Sequence, residues 1–192
     1  MKATIKTLKN KKVLIGITSG AAIYKICSLV RALRKNEAEV KIIMTENATK
    51  LISPLLFQSL SGSPVYVSMF QPVSQEKIEH IYLAQWADIF IIAPATANTI
   101  GKLANGIADN LLTTVFLALP PKTPIVVVPA METNMWENVF VQENVKKLKK
   151  RKNCYIIEPV EGVLASGREG KGRMAEVKDI LEYVQKIFKK ST

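Results

Sequence analysis

Short apolar runs alternate with segments of helical periodicity along most of this chain. The apolar runs are rich in β-branched residues, which is typical of strands that are buried on both faces. They predict strands at 13–17, 40–44, 89–93, 125–128 and 154–157. Apolar residues at helical spacing predict helices around these strands, at 21–34, 53–60, 99–119, 137–150 and 175–190.

Strands that alternate with helices are typical of a parallel sheet with right-handed crossovers. We therefore expect an α/β fold, a Rossmann-like (flavodoxin-like) parallel sheet with helices on both faces in a three-layer α/β/α arrangement. Ligands bind such sheets beyond the carboxyl ends of the strands. The loops that follow the strands are rich in small, hydroxyl or amide residues and lie at 18–21, 45–47, 94–99 and 129–132.

The first of these loops has residues that can hold a phosphate. Its sequence, Thr18-Ser19-Gly20, joins a predicted strand to a predicted helix, where backbone N–H groups and hydroxyls can bind an anion. It matches neither the dinucleotide motif nor the Walker A loop, and an ordinary cap with a glycine turn explains the same residues. Thr45 and the loop at 96–99 add further neutral donors. Because these loops carry no lysine or aspartate, they favour one phosphate and a flat polar ring over ATP with Mg²⁺.

The composition is that of one globular domain. With 192 residues, 48% of them hydrophobic and 22% charged, we expect a single domain over 1–192. One histidine and two cysteines exclude a disulfide framework and a four-cysteine zinc site within one chain, and we expect no metal. No apolar run reaches the roughly 20 residues of a membrane span, and residues 1–12 lack the apolar core of a signal peptide. We therefore expect a soluble, cytoplasmic protein.

A net charge of +11 is typical of nucleic-acid-binding proteins, but its distribution argues against that function here. The excess lies in a basic N-terminal segment, 1–12, in the run 146–152, and at Lys186, Lys189 and Lys190, and none of these spans contains an acidic residue. Basic residues at a helix C-terminus also suit the helix dipole. We therefore expect solvated faces and no nucleic-acid partner.

Two further features are ambiguous on the residues alone. His80 is the only histidine and lies at the start of a predicted helix, and a lone histidine is more often structural than catalytic. The segment 162–174 is rich in glycine, so we expect a mobile loop, which beside a site often acts as a lid. A surface hairpin is the alternative for this segment.

A longer pattern connects these features. The run at 93–112, APATANTIGKLANGIADNLL, resembles the homo-oligomeric flavin-containing cysteine decarboxylases. The run at 129–136, PAMETNMW, is similar to the Pro-x-Met-Asn-x-x-Met-Trp motif of that family, and the glycine-rich segment is similar to its substrate-recognition clamp. Several separated motifs follow in the order of the family, and the resemblance covers nearly the whole chain.

The resemblance implies FMN as the cofactor and a role for each matching residue. The implied FMN-binding residues are Ser19, Gly20, Ala21, Thr45, Thr96, Ala97, Asn98, Thr99 and Ala130. The implied substrate-binding residues are Asn110, Glu132, Met135, Ala165, Lys171 and Arg173, with Asp109 beside Asn110 in the pocket wall. The implied catalytic residues are His80 and Ser166, and the implied mobile clamp is 161–174.

The resemblance also implies an activity and an assembly. The expected reaction is the FMN-dependent decarboxylation of 4′-phosphopantothenoylcysteine to 4′-phosphopantetheine in coenzyme A biosynthesis. Oxidation of the thiol to a thioaldehyde creates the electron sink that loss of CO₂ requires, and reduction of the resulting enethiol completes the reaction. We expect a homotrimer, or a dodecamer of trimers, with FMN at subunit contacts. A phosphopantothenate–cysteine ligase domain or protein is a further expected partner.

Three other functions remain open. An enzyme of the same fold can oxidatively decarboxylate the C-terminal cysteine of a peptide and stop at the enethiol. A flavin prenyltransferase has a similar fold, although Met135-Trp136 and the clamp argue against it. A flavin store or a basic nucleic-acid binder without turnover is the non-enzymatic alternative, and steeply salt-dependent duplex binding would indicate it.

Two residues depart from the pattern of the family. Glu132 stands where the family has asparagine, and an ionised glutamate repels a substrate carboxylate to which an amide can donate, unless it is protonated or turned away. Asn134, two residues on, is a candidate to compensate. Ser166 stands where the phosphopantothenoyl enzymes have a cysteine that supports the final reduction, and a hydroxyl is far less acidic than a thiol. We therefore expect Ser166 to slow or stop that half-reaction.

Overall fold

The computed structural model of the chain describes residues 8–70 and 78–190. Its strands are β1 (Lys12–Ile17), β2 (Glu39–Met44), β3 (Val65–Tyr66), β4 (Ile89–Ala95), β5 (Ile125–Pro129), β6 (Cys154–Ile156), β7 (Val160–Val163) and β8 (Glu169–Arg173). Its helices are α1 (Tyr24–Lys35), α2 (Glu46–Thr49), α3 (Pro54–Ser61), α4 (Glu79–Trp86), α5 (Ala97–Asn105), α6 (Leu111–Ala118), α7 (Thr133–Trp136), α8 (Val139–Lys149) and α9 (Val177–Lys190). Within the described ranges, no helix is long and apolar enough to cross a bilayer.

Six of the strands form one parallel sheet. Its order is β3-β2-β1-β4-β5-β6, and every neighbouring pair runs in the same direction. This is the order of the doubly wound Rossmann-like sheet, so the predicted class and the three-layer arrangement are confirmed. The order reverses between β1 and β4, and ligands of such sheets bind in the crevice at that reversal.

Burial on both faces explains why the strands are continuous apolar runs. In β1, Val13 and Ile15 pack into one hydrophobic cluster with α1, α3 and α9. Leu14, which lies between them, packs into a second cluster with α4, α5, α6 and α8. Because successive side chains of a strand point to opposite faces and both faces are covered, an apolar residue is needed at every position.

The segment 99–119 is mostly helical, as predicted, and the structure divides it into α5 and α6. Gly106 ends α5 in the left-handed conformation, with φ of 69°, which glycine adopts without a steric penalty. Asn110 then begins α6 with a capping box, in which its side chain accepts the N–H of Thr113 at 3.1 Å. The intervening turn allows Asn110 to face the carboxyl edge of the sheet.

Residues 160–173 form an antiparallel hairpin, β7 with β8, which is the alternative given for the glycine-rich segment. The N–H of Met131 donates to the carbonyl oxygen of Gly172 at 3.0 Å, which joins the hairpin to the loop after β5. A Cβ atom on Gly172 would clash with the carbonyl oxygen of Met131. The close approach of the two backbones therefore requires glycine at this position, while the mobility of the hairpin stays a prediction.

We expect Gly172→Ala to loosen the hairpin, because backbone atoms cannot move aside as a flexible side chain can. The expected cost is about 1–3 kcal/mol of unfolding free energy, measured by urea denaturation, together with faster proteolysis within 160–173. Gly101→Ala is the matched control, since the nearest atom to its added Cβ would be Nδ2 of Asn144 at 3.7 Å. Equal stability and equal proteolysis of the two variants would contradict the proposed constraint.

Candidate active site

Two adjoining cavities lie at the carboxyl edge of the sheet, where its order reverses. The smaller has a volume of about 250 Å³ and a mostly polar lining, and the larger has a volume of about 550 Å³ and a mostly apolar lining. Ser19 and Thr96 line both cavities. The loops after β1 and β4 therefore lie where the cavities meet, as the topology predicts.

A buried hydroxyl holds these two loops together. Thr18 is 1% exposed, and its Oγ1 donates to the carbonyl oxygen of Pro94 at 2.5 Å. The same Oγ1 accepts the N–H of Thr96 at 3.2 Å. One side chain thus fixes the end of β4 and the start of α5 relative to the end of β1.

The hydroxyls of the smaller cavity are held in place by helix capping. Thr45 Oγ1 accepts the N–H of Ala48 at 3.3 Å at the start of α2, and Thr96 Oγ1 accepts the N–H of Thr99 at 3.3 Å at the start of α5. A hydroxyl that accepts a backbone N–H keeps its own proton. Thr45 can therefore cap its helix and still donate to a ligand.

The smaller cavity also contains an ion pair, which the neutral loops do not predict. Lys102 Nζ lies 2.5 Å from Asp109 Oδ2, and both residues line the cavity. The hydrogen bond from Lys102 lowers the pKa of the Asp109 carboxyl, and Asn110 donates to the same carboxylate at 3.0 Å. Because Asp109 neutralises Lys102, the cavity is polar without a large net charge.

Several small residues contribute to the lining of the larger cavity, including Gly20, Ala21, Ala97 and Ala130. A Cβ atom on Gly20 would lie 3.3 Å from Cγ of Pro94. The absence of large side chains at these positions lets a bulky group approach the backbone. This arrangement suits an aromatic ring system better than a chain of charged groups.

Glu132 supplies a carboxylate to the larger cavity. It precedes α7, but its side chain makes no capping hydrogen bond to that helix. Of the described residues that line this cavity, Glu132 is the one acid, and Met135 lies one helical turn beyond it. Asn134 is exposed and lines neither cavity, so in this structure it does not take the place of an asparagine at 132.

A second carboxylate lies beside the larger cavity and joins two of its basic residues. Glu176 Oε1 accepts from Lys25 Nζ at 3.0 Å and from Arg173 Nη2 at 3.0 Å. Lys25 and Arg173 line the cavity. The hydrogen bond from Lys25 lowers the pKa of the Glu176 carboxyl. We call these three residues the rim triad.

Most of the residues predicted from sequence meet at these cavities. The smaller cavity contains Ser19, Thr45, Thr96, Asn98, Thr99, Asp109 and Asn110. The larger cavity contains Ser19, Gly20, Ala21, Thr96, Ala97, Ala130, Glu132, Met135, Ala165 and Arg173. Three predicted residues line neither cavity in this single chain: His80, Ser166 and Lys171.

Local contacts show where these three residues lie instead. His80 is half-buried in the first turn of α4. Ser166 lies in the turn of the hairpin, where its Oγ accepts the N–H of Arg168 at 3.4 Å. Lys171 pairs with Glu158 at 2.8 Å, and this hydrogen bond lowers the pKa of the Glu158 carboxyl. The structure thus engages Lys171 away from both cavities, in contrast to the expected contact with substrate.

The structure also places residues at the site that the sequence analysis missed. Lys25, Lys102 and Glu176 were not predicted, although a signal exists for the first of them. Ala21 and Lys25 are four residues apart, which is the spacing of neighbours on one helix face. Glu176 is 151 residues from Lys25 along the chain, and no local pattern could have joined them.

Two curated relatives resemble the chain over most of its length. It is 45% identical over 185 residues to the coenzyme A biosynthesis bifunctional protein CoaBC of Bacillus subtilis strain 168, an alignment that covers 96% of the chain but 45% of the relative. The chain therefore spans about half the length of that protein. It is also 41% identical over 175 residues to the probable phosphopantothenoylcysteine decarboxylase of Streptococcus mutans serotype c, covering 91% of the chain and 97% of the relative.

Solved structures share the fold. A cysteine-to-serine mutant of PPC decarboxylase in complex with pantothenoylaminoethenethiol has a TM-score of 0.83 and 31% identity, over 94% of this chain and 100% of the other. The FMN-dependent cysteine decarboxylase SpaF has a TM-score of 0.82 and 28% identity, over 94% and 98%. The model of the Flavoprotein family matches residues 1–189. From the sequence match, the fold and the cavities together, we conclude that the chain belongs to the Flavoprotein family.

Proposed function

We propose that the chain catalyses the FMN-dependent decarboxylation of 4′-phosphopantothenoylcysteine to 4′-phosphopantetheine in coenzyme A biosynthesis. The observation that carries this proposal is the pair of adjoining cavities, one with a mostly polar lining rich in hydroxyl and amide side chains and one with a mostly apolar lining that includes the carboxylate of Glu132. Family membership supports a flavin cofactor. The name of the Streptococcus mutans relative, which the chain matches over 97% of its length, supports the reaction.

The residues present fit FMN. Ser19, Thr45 and Thr99 supply hydroxyl groups to the smaller cavity, and neutral donors of this kind suit a phosphate and a polyol chain. Gly20 and Ala130 place no bulky side chain in the larger cavity, which suits a flavin ring. We propose FMN rather than another flavin, and the FMN dependence of the similar cysteine decarboxylase SpaF supports this choice.

The protein residues have separate tasks in this reaction. Bound FMN supplies a reversible two-electron acceptor for the oxidation of the substrate thiol, which makes loss of CO₂ possible. We propose that Glu132 and Met135 bind the cysteine end of the substrate in the larger cavity, with Ala165 of the hairpin beside it. The apolar lining excludes water, which strengthens electrostatic interactions within the cavity. His80 is the proposed group that holds or moves the proton of the thiol.

Ser166 favours a second candidate function. If a thiol at this position donates a proton in the final reduction, serine donates it poorly, and the reaction stops at the enethiol. A cysteine-to-serine mutant of PPC decarboxylase has been solved with pantothenoylaminoethenethiol bound, which supports this step of the argument. An enzyme that needs only the first half-reaction, such as an oxidative decarboxylase of a peptide C-terminal cysteine, would tolerate Ser166.

The position of His80 supports an assembly of several chains. It lines neither cavity of its own chain, so a histidine that reaches the substrate would come from a neighbouring copy. Large apolar side chains remain exposed, among them Phe70 at 86% and Phe140 at 71%. We therefore propose a homotrimer, or a dodecamer of trimers, with FMN at the contacts between subunits.

The domain arrangement, the partner and the cellular location of the chain are also proposals. We propose one catalytic domain over 1–192, in which 161–174 acts as a substrate clamp. Residues 1–7 of the proposed basic segment lie outside the described residues. The bifunctional name of the Bacillus subtilis relative supports a phosphopantothenate–cysteine ligase domain or protein as partner, and coenzyme A synthesis suits a cytoplasmic location.

A single anaerobic turnover tests the activity. The flavin-loaded protein is mixed with 4′-phosphopantothenoylcysteine, and the product mass is measured. We expect loss of carbon dioxide, with two further hydrogens lost in the fraction that stops at the enethiol. Unchanged substrate, with FMN confirmed to be bound, would contradict the proposal. A peptide with a C-terminal cysteine is the parallel substrate, and turnover of the peptide alone would establish the second candidate instead.

Replacing Ser166 by cysteine tests the final reduction. A thiol is a far better proton donor, so we expect Ser166→Cys to accelerate formation of saturated product by about a hundredfold relative to the first half-reaction. Stopped-flow absorbance of the flavin and product mass give the two rates separately. Ser166→Ala is the control, and it should leave the first half-reaction unchanged. No rise in saturated product with cysteine would show that another group supplies the proton.

Mixed oligomers test whether His80 acts across a subunit contact. His80→Asn should abolish turnover while flavin stays bound, and Gly20→Val should abolish it by crowding the larger cavity. If a site combines the cavity of one chain with the histidine of another, co-expression of the two variants restores activity in about a quarter of sites. Activity that stays at zero in purified mixed oligomers would place His80 in the same chain as its cavity, or remove it from the reaction.

A further inference from the structure

One carboxylate of the larger cavity has no partner in its own chain. Glu132 is half-buried, and among the residues that the structure describes its carboxylate makes no hydrogen bond and no ion pair. Its neighbours in the lining include Ala130, Met131 and Met135. A carboxylate in such apolar surroundings depends on water for its hydrogen bonds, so a ligand that displaces the water makes the ionised form costly.

The hairpin of β7 and β8 is anchored on the residues at both sides of Glu132. The N–H of Met131 donates to the carbonyl oxygen of Gly172 at 3.0 Å. On the other side, a Cβ atom on Gly170 would clash with Oγ1 of Thr133. The hairpin also contributes to the lining of the larger cavity. A ligand that fills the cavity would therefore separate the carboxylate of Glu132 from solvent.

The other ionisable groups that line this cavity are engaged or only weakly acidic. Lys25 and Arg173 both donate to Glu176, each at 3.0 Å. Tyr24 has a phenol, which is a far weaker acid than a carboxyl group, and its side chain is 64% exposed. The charged residues of α8 line neither cavity, and the same is true of Glu137, Glu169 and Lys171, which lie next to α7 or on β8. Glu132 is therefore the group of the lining that can deliver a proton most readily.

We propose that Glu132 is the acid that protonates the substrate carbon from which carbon dioxide has left, in the turnovers that reach the saturated product. The inference rests on the proposed function, which puts the cysteine end of the substrate beside Glu132. The carboxylates of the substrate and of Glu132 repel each other, and two such groups in one site hold a proton between them. The substrate therefore binds with uptake of a proton. This proton stays on Glu132, because carbon dioxide leaves without it.

The proton transfer balances in atoms and electrons. Loss of carbon dioxide leaves an enethiolate, which holds the electron pair of the broken C–C bond. The O–H bond of Glu132 breaks, a C–H bond forms at the carbon that lost carbon dioxide, and the C–S bond becomes that of a thioaldehyde. Hydride from the reduced flavin of the first half-reaction reduces the thioaldehyde, and the resulting thiolate takes back the proton that the thiol lost. The net reaction thus consumes a proton for each carbon dioxide released, which is the proton taken up on binding.

Ser166 is the weaker candidate for this step. Its hydroxyl is far less acidic than a carboxyl group, and it lies in the turn of the hairpin and lines neither cavity. A cysteine at this position would add a second donor without removing Glu132. The acceleration expected of Ser166→Cys is therefore compatible with a slower proton transfer from Glu132 in the wild-type protein.

Proton uptake on binding tests the inference without turnover. The ligand is the serine analogue of 4′-phosphopantothenoylcysteine, which has the carboxylate but no thiol to oxidise. It is titrated calorimetrically into the flavin-loaded protein in buffers of different ionisation enthalpy, and 4′-phosphopantetheine gives the contribution of the phosphate alone. We expect the analogue to bind wild-type protein with uptake of about one additional proton, and Glu132→Gln with almost none. Glu137→Gln is the matched control and should behave as wild type, because Glu137 is exposed and lines neither cavity.

Product mass after a single anaerobic turnover tests the destination of the proton. Glu132→Gln should still form the enethiol, because its amide can bind the substrate carboxylate, but the yield rate of saturated product should fall by about a hundredfold. Adding Ser166→Cys to Glu132→Gln should restore the saturated product, since the thiol is then the donor. A merely structural role of Glu132 would not be rescued by a second donor.

Three results would overturn the inference. They are binding of the analogue to wild-type protein without the additional proton, equal uptake by wild type and Glu132→Gln, and a wild-type protein that releases the enethiol alone. Failure of the proposed function is a different result, since it appears as unchanged 4′-phosphopantothenoylcysteine with wild-type protein that has FMN bound.

Discussion

The buried hydroxyl of Thr18 is the interaction on which the geometry of the site depends. It donates to the carbonyl oxygen of Pro94 and accepts the N–H of Thr96, so it pairs two backbone groups where the chain passes from β4 to α5. A side chain without a hydroxyl would leave these buried groups unpaired, which costs about 1–3 kcal/mol for each group. The crevice between β1 and β4 therefore has a fixed shape before any ligand enters it.

Helix capping extends this order to the rest of the polar cavity. Thr45, Thr96 and Asn110 each begin a helix, and each lines the smaller cavity. A capping side chain is held by the backbone that it caps, so its position is fixed by the fold rather than by the ligand. The same residues therefore serve stability and binding, and replacing one affects both. This double use explains why these three capping side chains are short and neutral.

The sequence predicted most of the fold because its signals are local. The apolar runs at β1, β4 and β5 indicate burial on both faces, and the predicted helix at 53–60 corresponds to α3, for which Ser53 is the N-cap. The break between α5 and α6 also had a local signal, because glycine at 106 is typical of a helix C-terminus and asparagine at 110 is typical of a helix N-cap. The sustained apolar pattern around it obscured that signal. The glycine-rich segment left a mobile loop and a surface hairpin open, because the contact of Gly172 with Met131 is one that no local pattern reveals.

The sequence predicted the neutral loop residues of the site better than the charged residues. Loops after parallel strands meet at one edge of the sheet, so Ser19, Thr45 and Thr96 could be assigned from topology alone. Charged residues could not be assigned in this way, because a long charged side chain can pair with a residue that is distant along the sequence. Lys171 was expected at the cavity and instead pairs with Glu158, whereas Lys25 was not expected and lies at the cavity through Glu176.

The charges around the larger cavity form a consistent pattern that single residues do not show. Glu132 places a carboxylate on one part of the lining, and the rim triad places two cations on another. A ligand whose more anionic end lies at the two cations would be oriented by these charges, because reversing it would set that end against Glu132. Glu132 can then help to orient the ligand, although it binds a substrate carboxylate less well than an amide would.

The two departures from the family pattern, at Glu132 and at Ser166, lie on different parts of the site. Glu132 lies in the lining of the larger cavity, and Ser166 lies in the turn of the hairpin. Each can therefore change binding or proton transfer without the other, since the residues share no contact partner among the interactions described.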